Sequence, residues 1–200
     1  MLLLCDNNVN AFRPFWNCRI AEKQHHFCHF HYNFKKLNLV LKLKMLTPQI
    51  RESASRSVLC WLATSDKSGQ PNVSPKEIFA VIDSMHIAIA NIASPTSVRN
   101  VNSNERVCVS FIDVFVQKGY KVIGIARNVS QQDAEFSRWV APLRVMAGPR
   151  FPIHSVILVQ AVAVEPILAP SYRLYADETT EHSQVASAMR AYGVKPLRDS

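Results

Sequence analysis

Ser94-Pro95-Thr96-Ser97-Val98-Arg99-Asn100 is the stretch of this 200-residue sequence whose residue types and spacing most directly suggest chemistry. Ser94 and Pro95 read as a helix start, where free backbone N–H groups and the positive end of the helix dipole favour an anion. A guanidinium one turn later, Arg99, can grip an anion through two parallel donors. The same arginine could equally be a solvated charge on a short helix. Lys76 and Glu77 form a second pair of chemical interest; they could equally be exposed charges in cross-strand pairing that contributes only about a few tenths of a kcal/mol. His86 and His154 stand alone, with no plausible triad partner in the sequence. His25, His26, Cys28, His29 and His31 are good zinc ligands by type, but their spacing fits no standard finger and no second cysteine pair follows. Nonspecific chelation by a basic arm is the reading that spacing supports.

The elements that must position these groups begin at Met45. Before it lie seven basic and two acidic residues; after it the numbers are sixteen and thirteen, so most of the net charge of +8 sits in residues 1–44. That segment shows neither a strand nor a helix period, and we expect it to be a disordered or non-native N-terminal extension, with Met45 as the functional initiator. The remaining cysteines, Cys60 and Cys108, fall in apolar runs and read as small buried hydrophobes, with no disulfide framework, as suits a reducing cytoplasm. No stretch approaches the eighteen apolar residues of a membrane span.

Thr47 and Pro48 predict a capped helix start. Val58 to Thr64 predicts a strand, closed by the hairpin-type turn Asp66-Lys67-Ser68-Gly69. Asn72 to Ile82 predicts a second strand with Pro75 at an edge or bulge, and Met85 to Ala90 a third. A short helix from Ser94 to about Asn104 should turn Val98 and Val101 inward. Arg106 to Val116 and Gly119 to Val129 follow as long apolar strands around a tight corner at Gln117, Lys118 and Gly119. Ser130 to Met146 predicts an amphipathic helix with Ala134, Val140, Ala141 and Val145 among its apolar positions, stopped by Gly148 and Pro149. Ser155 to Val164 is the last strand, and a polar tail carries a helix from Thr180 to Tyr192. Trp61 and Trp139 read as core or interface aromatics. Six strands with short connections and one substantial helix predict a mainly β protein, a closed or nearly closed antiparallel barrel with a few helices.

Three segments, taken in order, carry a resemblance: Asn72 to Glu77, Ile89 to Asn100, and Val107 to Gly119. Together they resemble the pyridoxamine 5'-phosphate oxidase-like flavoproteins, from residue 45 to about 165. The resemblance implies a six-stranded split barrel over 45–168, a C-terminal tail over 169–200, and FMN bound at the interface of a homodimer. It implies that the FMN phosphate is held by Ser97, Arg99 and Asn100, with Asn91 near the ring or ribityl chain. Ser74, Lys76 and Glu77 would lie along the isoalloxazine edge, where a lysine near N1 and O2 would tune the flavin's potential. The partner subunit would supply Gln117 or Lys118, although the family's usual contact is spaced differently from a later glycine, here Gly124. Lys195 to Ser200 does not match the Arg-containing, Pro-terminated segment that closes on substrate in true pyridoxamine 5'-phosphate oxidases, so that substrate is not expected. The implied activity is a cytoplasmic oxidoreductase acting by hydride transfer at flavin N5 on a small substrate, with an electron donor such as NAD(P)H. The alternatives are a noncatalytic flavin- or ligand-binding module and, from the basic first 44 residues, a nucleic-acid-binding protein.

Overall fold

The computed structural model describes residues 45–196; the expectations for residues 1–44 lie outside them, as do residues 197–200. Helix α1 (Pro48–Arg56) starts as the sequence demands. Thr47 Oγ1 accepts from Ile50 N at 3.4 Å, and Pro48 occupies the first helical turn, where its missing N–H is not needed. Seven strands follow: β1 (Cys60–Ser65), β2 (Pro71–Lys76), β3 (Phe79–Val81), β4 (His86–Asn91), β5 (Arg106–Asp113), β6 (Lys118–Ser130) and β7 (Ser155–Leu168). Between them lie α2 (Pro95–Ser103) and α3 (Phe136–Ala147), and the chain ends in a single turn α4 (Ser171–Leu174) and α5 (Glu181–Tyr192).

All seven strands join one antiparallel sheet in the order β2-β1-β5-β6-β7-β4-β3. The predicted second strand, Asn72 to Ile82, is therefore two strands, and seven replace six. Its halves lie at opposite edges of the sheet, joined only by Glu77 and Ile78. At no more than about 3.6 Å per residue, that link holds Lys76 and Phe79 within about 11 Å of each other. The sheet must curl until its edges nearly meet, which is the split barrel. Pro75 sits in edge strand β2, where a residue without an N–H can be accommodated.

Two apolar cores account for the curl. Inside the barrel, Leu62, Phe79, Ile87, Val109, Phe111 and Val122 pack together, with the Phe79 and Phe111 rings 6.2 Å apart. Outside it, α3 lays Phe136, Trp139, Val140 and Leu143 on the other face of β4 and β7. Covered on both sides, those two strands read as unbroken apolar runs, Ile87 to Ala90 and Val156 to Val159, where a one-sided strand would alternate. Trp139 is buried as expected, and its Nε1 donates to Glu135 Oε2 at 2.9 Å.

The predicted phase of α3 needs correction. β6 runs on to Ser130 and a turn follows, so the helix begins at Phe136 instead of Ser130. Ala141 is exposed and Val145 is 85 % exposed, while residues 136, 139, 140, 143 and 147 form the buried stripe. Trp61 lies on the outer face of the sheet, 44 % exposed. Val101 is buried as expected and Val98 is half-buried. β6 and β7, thirteen and fourteen residues long, slip register between Ile123 and Gly124. At the slip β7 backbone crowds Gly124: a Cβ there would stand 2.6 Å from Gln160 O.

Candidate functional site

Seven of the nine residues singled out in the sequence converge where α2 starts against β2 and the end of β4. Ser74 Oγ on β2 and Ser97 Oγ on α2 lie 3.1 Å apart, and Ser97 is only 2 % exposed. Lys76, buried at 6 % exposure, donates from Nζ to Ser94 Oγ. Asn91 ties three elements together: its Oδ1 accepts from Ser94 N at 3.2 Å and its Nδ2 donates to Ser155 Oγ at 2.8 Å. Asn100 is buried and donates to Thr64 Oγ1 at 3.1 Å, joined there by Asn72 Nδ2 at the same distance. The helix is thus pinned to β1, β2 and β4 through short polar side chains.

Arg99 behaves differently. It is exposed, and its Nη2 turns back along the helix to donate to Thr96 Oγ1 at 3.1 Å. No side chain caps this helix start, and Ser94 Oγ accepts instead from Lys76. A cation folded over an uncapped helix N-terminus meets the positive end of the dipole, an arrangement that is unfavourable until an anion joins it. A cavity of about 550 Å³ opens at this point, lined among others by Lys67, Asn72, Thr96, Arg99 and Asn100. Asp66 also reaches it, but its Oδ1 accepts from Ser68 Oγ, Ser68 N and Gln70 N, and those bonds, the Ser68 hydroxyl foremost, hold its carboxyl below the usual range.

Further along β2 a second cavity, about 300 Å³, is walled by Ile78, Ala90, Ile92, Ala93 and Phe151, with Lys76, Glu77 and Ser94 as its polar members. Burial pushes the Lys76 ammonium pKa down, against a smaller opposing effect from Cys60, its cross-strand neighbour. Burial likewise pushes the Cys60 thiol up to about 12. At about 3.3 Å per residue, Asn72 in the first cavity and Lys76 in the second are about 13 Å apart along β2. The pair of cavities suits an elongated molecule with an anionic group at one end and a mainly apolar group at the other.

Gln117 and Lys118 are not brought to this site within one chain. They sit at the β5–β6 corner, and β1 and β5 separate β6 from β2. Glu77 is exposed at the link between β2 and β3. Sequence reasoning missed Thr64, Ser155 and Phe151, and it gave Ser94 and Thr96 no contact of their own although both lie in the stretch it starts from. Thr96 stands three residues before Arg99 and so on the same helical face.

The family model for pyridoxamine 5'-phosphate oxidase matches residues 46–167, the described barrel almost from end to end. The chain belongs to this family. No curated protein matches it. Among solved structures, an FMN-binding protein from Syntrophomonas wolfei is similar at 16 % identity and a TM-score of 0.54, over 68 % of this chain and 96 % of its own. HupZ from Group A Streptococcus is similar at 20 % identity and a TM-score of 0.55, over 62 % of this chain and 96 % of its own. Identities this low carry the fold, and the fold they carry is the split barrel. Among the described residues, no helix is long and apolar enough to cross a membrane, and no group of three or more His, Cys, Asp or Glu could hold a metal ion.

Proposed function

We propose that this chain binds FMN, with the phosphate at the start of α2 and the ring toward the Lys76 cavity, and acts as an oxidoreductase on a small substrate. One observation carries the reading: Arg99 is folded over an uncapped helix start, beside the larger cavity. Arg99 and the free N–H groups of the first turn of α2 hold the phosphate. The Ser74–Ser97 contact fixes the helix against β2, so that anion site and ring pocket keep their spacing. Ile78, Ala90, Ile92 and Phe151 exclude water from the ring, and Lys76 places a buried positive charge beside it. FMN supplies hydride exchange at N5, while the chain positions the substrate and tunes the ring.

The outer face of the sheet supports a homodimer as the working unit. Val73, Ala63, Cys108 and Ile123 lie in one cross-strand row over β2, β1, β5 and β6. Trp61, Ile125 and Val162 flank this row on the same face, each at least 42 % exposed, among polar neighbours such as Ser110, Lys121 and Arg106. Contiguous exposed apolar surface of this kind marks an interaction face. In that dimer Gln117 and Lys118 of each subunit serve the flavin of the other.

Purified protein should show the visible absorbance of bound flavin, or an FMN-induced thermal shift. Neither signal, at saturating FMN, would remove the flavin reading. Anaerobic bleaching by NADH or NADPH then supports catalysis, and a flavin left oxidised by both donors points to a noncatalytic carrier.

A further inference from the structure

The tail beyond β7 grips the β5–β6 corner residue by residue. Tyr192 meets the Phe115 ring edge-on at 6.1 Å, and Tyr172 Oη donates to Val116 O at 2.9 Å. Ala169 N donates to Gln117 O at 3.1 Å. Lys118 Nζ donates to Glu181 Oε1 at 2.8 Å and lies 4.5 Å from the centre of the Tyr172 ring. Gln117 has φ of 56°, a left-handed conformation uncommon for its residue type. Both of its backbone groups are tied, the N–H to Asp113 O at 2.7 Å and the carbonyl to the tail. Strained backbone of this sort persists only where its surroundings over-determine it. The grip is itself braced: Thr179 Oγ1 donates to Ser171 O, Gln184 Nε2 to Ser171 Oγ, and Thr180 and Ser183 cap α5 reciprocally. Glu181 opens α5, where the dipole favours its charge.

We infer that residues 169–192 are a positioning device for the β5–β6 corner, so that the tail of one subunit sets the affinity of the other subunit's flavin site for phosphate. The inference rests on the assignment of Gln117 and Lys118 to the partner's FMN, and takes Lys118 as the cation that meets its phosphate. Glu181 and Tyr172 are positioning residues: they aim Lys118 and hold the corner, and they touch no ligand.

The test uses the full chain and compares FMN with riboflavin, which lacks the phosphate, by quenching of flavin fluorescence. Glu181→Gln and Tyr172→Phe should each weaken FMN about three- to tenfold and leave riboflavin within about twofold, as Lys118→Met should. Equal losses for both flavins would show a purely structural tail and overturn the inference. A gain in FMN affinity in Glu181→Gln would overturn it too, because Glu181 would then be competing with phosphate for Lys118. Arg99→Ala keeps the two levels apart. If it separates FMN from riboflavin and the tail variants do not, only the inference falls; if it does not, the phosphate site falls first. Mixed dimers of Arg99→Ala and Glu181→Gln chains test action across the interface. There, both defects should collect in one site and leave the other with native affinity, whereas two weakened sites would refute it.

Discussion

Replacing Arg99 by alanine should move two quantities in opposite directions. The guanidinium is exposed and reaches only Thr96 within the chain, so its removal breaks one internal hydrogen bond at 3.1 Å and opens no core cavity. Hydrogen bonds to charged groups contribute about 1.5–3 kcal/mol each, and solvent exposure argues for the lower part of that range. A loss of about 1.5–2.5 kcal/mol corresponds to roughly 10- to 70-fold weaker FMN binding. Riboflavin offers no phosphate, and its affinity should not change. In the ligand-free protein, the cation no longer faces the positive end of α2, so stability should rise by about 0.3–1 kcal/mol at low salt. Isothermal titration with both flavins at fixed ionic strength, and urea unfolding of the apoprotein, read the two effects separately. Arg99→Lys should fall between, since it keeps the charge and loses the parallel pair of donors. The argument fails if Arg99→Ala loses both flavins equally, or loses neither.

Three further predictions concern the scaffold. Glu135 pairs with Arg127 and accepts from Trp139, and those contacts, Arg127 foremost, lower its carboxyl pKa from 4.5 to about 2. A folded-state pKa below the unfolded one stabilises above pH 4.5 and loses that contribution as pH falls toward 2, so Glu135→Gln should flatten the acid side of a Tm-against-pH profile. Leu143→Ala, at a fully buried position on the inner face of α3, should cost about 2–5 kcal/mol in urea unfolding, while Val145→Ala, 85 % exposed two residues on, should change stability by less than about 0.5 kcal/mol. Gly124→Ala should cost about 1–3 kcal/mol, because its Cβ would crowd Gln160 O and Val159 Cγ1; an unchanged unfolding midpoint would show that the β6–β7 slip can relax.

Strands were legible wherever burial is simple. The runs around Ile87 and Val156 announce themselves because both faces of those strands are covered. The break at Glu77 and Ile78 was not legible, since neither residue is a turn former and the reason for the break is long-range: the chain leaves one edge of the sheet and joins the other. The phase of α3 is legible only in part: Val140 is buried as expected, but Ala134 lies in the turn before the helix, and grouping it with Ala141 and Val145, seven and eleven positions on, places the apolar face on the exposed side. At the site, residue types and local order pointed to the start of α2. The partners of those residues did not show, because contacts such as Asn91 with Ser155 and Asn100 with Thr64 span 64 and 36 positions. Gln117 and Lys118 illustrate the remaining limit, since no local pattern says which chain such a corner serves.

The two-residue link between β2 and β3 also bears on how the protein avoids aggregation. An open sheet exposes two unpaired edges, each able to recruit a strand from another molecule. Here both edges are joined through Glu77 and Ile78, so a chain adding to one at that end must contend with the other, held within about 11 Å by covalent bonds. One edge carries Pro75 and the other is three residues long. The seam that leaves the barrel split therefore also protects it, and cutting the backbone there would free two sticky edges at once.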